Sequence, residues 1–109
     1  GQVEGGVING LGFGVMSELV MDNGRVSTLH LGDYKLPNIQ DIPSHEVDYL
    51  EEPGGHTPYG GKGIGETTNP AVPGLIANAI ADATGFRCFE LPVSAEKIQR
   101  GLKGSGPVV

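Results

Sequence analysis

Residues 2–19 read QVEGGVINGLGFGVMSEL and combine a helical apolar pattern with repeated glycines. Five apolar residues recur at every fourth position: Val3, Val7, Leu11, Val15 and Leu19. This period predicts a helix over residues 2–19, although each interior glycine costs up to about 1 kcal/mol relative to alanine. Gly6, Gly10 and Gly14 share the same period and form a smooth strip that another backbone or a ligand can approach. We therefore expect the helix to depend on packing partners, some of them outside this chain.

Two further helices are predicted from their end signals. Asn69 suits the N-cap and Pro70 the first turn of a helix that ends at Gly85. Ser94 is expected to cap a third helix that runs from residue 95 to about residue 102.

Extended structure is predicted in three places. Asn23-Gly24 lies between apolar residues, which is a strong signal for a hairpin turn. Residues 45–50 alternate apolar and charged side chains and predict a half-buried strand, and residues 86–91 predict a short strand. The order of elements indicates a mixed α/β (α+β) fold with about three helices, a short hairpin and a small sheet. We expect one structural unit over residues 1–103 and a disordered tail over residues 104–109.

Composition excludes several classes of partner. The chain has 109 residues and a formal net charge of -6, which disfavours nucleic acids and anionic membrane surfaces. No apolar run approaches the roughly 20 residues that span a bilayer. The single cysteine, Cys88, rules out a disulfide within the chain and fits a reducing compartment, so we expect a cytoplasmic protein.

Residues 60–68, GGKGIGETT, are the best candidate for a functional loop. Closely spaced glycines expose backbone N–H groups that can bind an anion such as a phosphate. The spacing matches neither a Walker loop nor a dinucleotide fingerprint, and on spacing alone a plain structural turn is favoured. Glu66 ends the loop, where a carboxylate can act as a general base, although an acid that stabilises a helix start is the simpler interpretation. His30, His45 and His56 lack metal-ligand spacing, so we predict no protein-ligated metal.

Four motifs follow one another in a familiar order. They are GQVEGG with NGLG at residues 1–12, DYKLP at residues 33–37, GKGIGE at residues 61–66, and NAIADATG with LP at residues 78–92. Together, over residues 1–103, they resemble the C-terminal segment of the molybdopterin-binding large subunit in the xanthine dehydrogenase/aldehyde oxidase family of molybdenum hydroxylases.

This resemblance implies a function and a cofactor. The full-length protein would be an oxidoreductase that hydroxylates an N-heterocycle or an aldehyde, with water as the oxygen source and a molybdenum–molybdopterin cofactor. Iron–sulfur clusters and FAD would lie on partner domains or subunits. The glycine strip of the first helix would pack against the cofactor and against protein outside this chain. The chain alone would be inactive.

The resemblance also implies roles for individual residues. Glu66 would be the general base. The cofactor-binding residues would be Gln2, Lys62, Gly63, Ile64 and Gly65. Two alternatives stay open on the residues alone: a non-catalytic loop that binds a phosphate or nucleotide, and a subunit-assembly element built on residues 60–65. The sequence does not identify the substrate.

Overall fold

The computed structural model describes residues 1–104, which form four α-helices and one two-stranded antiparallel hairpin. The mixed α/β class is confirmed, with a four-residue helix in addition to the three predicted ones. The elements, in chain order, are α1 (Gln2–Val15), β1 (Met21–Asp22), β2 (Arg25–Val26), α2 (Leu31–Tyr34), a 3-10 turn (Pro58–Gly60), α3 (Ala71–Thr84) and α4 (Ala95–Leu102).

The packing of α1 against α3 organises the fold, and the glycine strip makes it possible. A Cβ atom at Gly10 would lie 2.6 Å from Val72 Cβ and 2.8 Å from the Asn69 carbonyl oxygen. One at Gly14 would lie 3.0 Å from Ile76 Cδ1. The strip is therefore a packing surface, as predicted, but the expectation that a cofactor or absent protein covers it is wrong, since α3 and the two residues Thr68 and Asn69 before it do so.

Helix α1 ends at Val15, four residues earlier than predicted, because the backbone is drawn towards α2. The Gly12 carbonyl accepts from both Met16 N (2.9 Å) and Ser17 N (2.7 Å), which closes the last turn. The buried Ser17 hydroxyl then donates to the Lys35 carbonyl at 2.7 Å. This buried bond outweighs the apolar period that continues to residue 19.

Local signals locate the remaining helices and the hairpin. Gly85 follows α3 in the left-handed conformation (φ 75°), as predicted. The predicted Asn69 cap is wrong, since Pro70 occupies the N-cap position without a side-chain cap. The hairpin forms as expected, with Asn23 and Gly24 both at positive φ.

Both additional strands were predicted wrongly. Residues 45–50 are irregular, because a strand needs a hydrogen-bonded neighbour and none lies beside them within residues 1–104. Residues 86–91 have no regular secondary structure. The Phe86 ring lies against Gly101 of α4, and the buried Cys88 thiol donates to the Glu90 carbonyl at 3.2 Å. Of the predicted tail, residues 105–109 lie outside the described residues.

The chain has an open shape and a small core. Its radius of gyration is 17.1 Å, whereas a compact domain of this length has about 13 Å. Its accessible surface is 8293 Å², against about 5,700 Å² for a compact protein of this mass. Within residues 1–104 the buried apolar side chains are Cys88, Val93, Pro73 and Pro92, while Ile39, Leu50 and Phe89 are exposed. Such a surface suits a segment that packs on further protein.

The N-cap of α4 offers a test of local stability. Ser94 is confirmed as the cap, because its hydroxyl accepts from Lys97 N at 3.3 Å. We expect Ser94→Ala to cost about 1 kcal/mol, seen as faster amide hydrogen exchange across residues 95–99. Ser94→Asp, which keeps an acceptor, should restore protection. Equal exchange in Ser94→Ala and the unaltered protein would contradict a stabilising cap.

Candidate active site

The glycine loop forms an open hollow between the 3-10 turn and α3. The hollow is lined by Gly63, Ile64, Gly65, Glu66 and Thr67. A single turn closes it, in which Thr67 N donates to the Ile64 carbonyl at 3.3 Å. The Glu66 side chain is exposed and has no hydrogen-bond or ion-pair partner within residues 1–104. Its oxygens are thus open to a ligand or a proton.

Gln2 lies beside this hollow although 63 positions separate it from Gly65. A Cβ atom at Gly65 would lie 3.6 Å from Gln2 Oε1, which is ordinary van der Waals contact. Gln2 is the first residue of α1, so the packing of α1 on α3 brings its amide to the loop. The structure thereby brings together two regions of the sequence that were predicted to share a site.

The loop backbone presents hydrogen-bond donors. Among residues 1–104, no acceptor pairs with the backbone N–H of Gly63, Ile64 or Gly65. A Cβ atom at Gly63 would meet nothing within 4 Å. Successive exposed N–H groups of this kind favour an anionic or strongly polar ligand, and the Gln2 amide adds a donor and an acceptor beside them.

Lys62 is placed differently from its neighbours. Its amino group donates to the Glu52 carbonyl at 2.7 Å and so ties the preceding segment to the loop. It does not line the hollow with residues 63–67. Its role in cofactor binding stays a prediction.

Other ionisable groups in the described part of the chain offer no competing site. No cluster of three or more His, Cys, Asp or Glu side chains suited to a metal ion occurs in residues 1–104. Glu4 lies in the first turn of α1 and does not line the hollow.

Thr68 is the residue at this site that the sequence did not reveal. Its hydroxyl donates to the Val3 carbonyl at 3.2 Å and is partly buried between α1 and the turn that precedes α3. The only signal in the sequence is a small polar residue shortly before a helix, which ordinarily indicates capping. Its actual partner lies 65 positions away.

Comparison with known proteins identifies the class of this fold. Residues 1–43 match the family model described as a molybdopterin cofactor-binding domain. Quinoline 2-oxidoreductase from Pseudomonas putida 86 has a similar structure, with a TM-score of 0.83 and 27% identity over 94% of this chain and 14% of its own. This fold is therefore that of a molybdopterin-binding segment.

Sequence relatives then give the family. The chain is 38% identical to the nicotine 6-hydroxylase large subunit of Paenarthrobacter nicotinovorans, over 95% of this chain and 13% of that protein. It is 34% identical to the xanthine dehydrogenase molybdenum-binding subunit of Escherichia coli O157:H7, over 90% of this chain and 13% of that protein. The chain belongs to the xanthine dehydrogenase/aldehyde oxidase family of molybdenum hydroxylases and spans 13% of the length of each of these two relatives.

The residues around the hollow fit the family's molybdopterin cofactor. The glycines leave room for a close approach, the loop N–H groups supply donors, and the adjoining Gln2 amide supplies a further polar contact.

Among residues 1–104, no helix is long and apolar enough to cross a membrane.

Proposed function

We propose that this chain supplies the general base and part of the cofactor surface of a molybdenum hydroxylase. The full-length protein would hydroxylate an N-heterocycle or an aldehyde with oxygen from water. The proposal rests on one observation: Gln2 lies close to the loop that bears Glu66. This proximity matters because a base must lie beside the group that binds the reacting partners.

The role proposed for each residue is the one that the family resemblance implies, and its position in the structure supports that role. The Gln2 amide and the N–H groups of Gly63, Ile64 and Gly65 would hold the cofactor, which supplies the two-electron oxidation when bound. Glu66 would accept, at a carboxylate oxygen, the proton of the water-derived nucleophile as it attacks an electron-poor carbon. Its lack of a partner within residues 1–104 leaves both oxygens available for that transfer.

The net reaction converts C–H and water into C–OH, two protons and an electron pair. Iron–sulfur clusters and FAD on partner subunits or domains would accept the electrons, in a cytoplasmic assembly. Two of the relatives are named as subunits, which supports partner subunits here. The large exposed surface of the chain supports our proposal that it is inactive alone.

A second candidate is a non-catalytic module that binds a phosphate or nucleotide through the same loop, or that serves in assembly. The unpaired N–H groups of residues 63–65 favour anion binding without requiring chemistry. Under this alternative Glu66 would have no effect on turnover.

Cofactor analysis and isotope labelling of the full-length protein separate the two candidates. We expect stoichiometric molybdenum and pterin in protein loaded in a cofactor-producing host. With nicotine, xanthine, quinoline and benzaldehyde as probes, reaction in ¹⁸O-labelled water should place the label in the hydroxylated product, as mass spectrometry would show. Protein that carries no molybdenum after loading, yet binds inorganic phosphate or ATP, would favour the second candidate.

A further inference from the structure

Thr68 joins the two elements that carry the site. Its hydroxyl donates to the carbonyl of Val3, one residue after Gln2, and Thr68 itself lies two residues after Glu66. Within residues 1–104 this is the one hydrogen bond that links α1 to residues 60–70. A carbonyl oxygen has two lone pairs, so Val3 can accept this bond in addition to its helical one.

Gly6 provides the space that this bond needs. It is buried, and a Cβ atom there would overlap Thr68 Oγ1. The Asn69 backbone nitrogen would lie 3.5 Å from the same Cβ. Because Gly6 contributes no side chain here, the Thr68 hydroxyl reaches the backbone of α1 and supplies the directional contact.

The glycine loop has few other restraints of this kind. Its hollow is open and Glu66 is exposed, so the carboxylate has no partner within residues 1–104 to orient it. The α1–α3 seam is the line of contact between these two helices, and further along it α3 is held by the packing of Val72, Pro73 and Ile76 against α1. Van der Waals packing fixes direction less well than a hydrogen bond does.

We infer that Thr68 is a positioning residue for Glu66: its bond to Val3 fixes the backbone that carries Glu66 relative to Gln2 and hence to the cofactor. The inference rests on the proposed role of Glu66 as the base. A catalytic group displaced by about 1 Å can lose on the order of 10²-fold in rate. Loss of the hydroxyl should therefore affect kcat more than substrate binding.

The test compares Thr68→Val, Thr68→Ser and Thr84→Val in the full-length, cofactor-loaded protein. Valine keeps the shape of threonine without the hydroxyl, and serine keeps the hydroxyl. Thr84 is the matched control, because its hydroxyl bonds the Ile80 carbonyl within α3, far from the loop. With whichever of nicotine, xanthine, quinoline or benzaldehyde is turned over fastest, Thr68→Val should lower kcat about 10- to 100-fold at similar KM. Thr68→Ser should retain most of the activity and Thr84→Val all of it.

A readout independent of turnover accompanies the kinetics. Amide hydrogen exchange across residues 63–69 should accelerate in Thr68→Val, but not in Thr68→Ser or Thr84→Val, at unchanged molybdenum content. Unchanged exchange and normal kcat in Thr68→Val would overturn the inference. Loss of molybdenum from Thr68→Val, with normal turnover per remaining molybdenum, would also overturn the inference. That outcome would be a purely structural effect.

Combining Thr68→Val with Glu66→Gln separates this inference from the proposed function. If Thr68 acts through Glu66, adding Thr68→Val to Glu66→Gln should lower the single-turnover rate little further. A full additional loss would overturn the positioning role. Normal turnover in Glu66→Gln alone would refute the base itself, whereas an inactive Glu66→Gln beside a normal Thr68→Val would refute only the role of Thr68.

Discussion

Glu66→Gln is expected to lower kcat of the full-length holoenzyme by about 10²–10⁴-fold, the usual range for loss of a general base. Glutamine has nearly the same size and can occupy the exposed position at the edge of the hollow without disturbing the loop. It cannot accept the proton of the nucleophile. Steady-state kinetics normalised to molybdenum content would measure the effect, and the content itself should stay unchanged.

Two control substitutions make the result specific. Glu51→Gln removes another exposed carboxylate, one outside the hollow, and should leave kcat unaltered. Glu66→Asp keeps a carboxylate but withdraws it by one methylene, so its loss should be smaller than that of Glu66→Gln. Near-normal turnover in Glu66→Gln would rule out the catalytic role and favour the non-catalytic interpretation of the loop.

Features encoded by neighbouring residues were predictable from sequence. The Ser94 cap, the Gly85 stop and the Asn23-Gly24 turn each depend on the backbone preference of one or two residues. Such preferences act over a few positions and need no tertiary partner. The three longer helices and the hairpin were therefore located within a few residues.

Features that depend on distant partners were not predictable in the same way. Residues 45–50 alternate like a strand, but no neighbouring strand pairs with them within residues 1–104. The glycine strip of α1 showed that something must approach closely, yet not that Val72 and Asn69 would do so.

The same distinction applies to the candidate site. The family motifs predicted that Glu66 and Gln2 share one cofactor site, although the two residues lie in different regions of the sequence. Their common location follows only from the packing of α1 on α3, and the Thr68 bond to Val3 depends on that packing too. Local spacing alone favours a structural acid at Glu66, because these tertiary contacts leave no trace in it.

Gly10→Ala is expected to damage both the fold and the site. The added methyl would lie 2.6 Å from Val72 Cβ and 2.8 Å from the Asn69 carbonyl oxygen, and the latter is backbone that cannot rotate away. Overpacking of this kind costs about 1–3 kcal/mol, more than the gain of up to about 1 kcal/mol in helix propensity. Because Asn69 is three residues from Glu66, relief of the clash should also shift the base, so we expect a lower melting temperature and a lower kcat per molybdenum.

Gly74→Ala is the matched control, since Gly74 lies on α3, where an added Cβ would meet nothing within 4 Å. This substitution should gain helix propensity without overpacking the seam, and the melting temperature should hold or rise. Comparing Gly10→Ala with Gly74→Ala separates the effect of the close contact between α1 and α3 from the general effect of replacing glycine in a helix. If both variants melt alike and turn over alike, the α1–α3 seam does not depend on glycine at position 10, and the close approach that brings Gln2 to the Glu66 loop must have another cause.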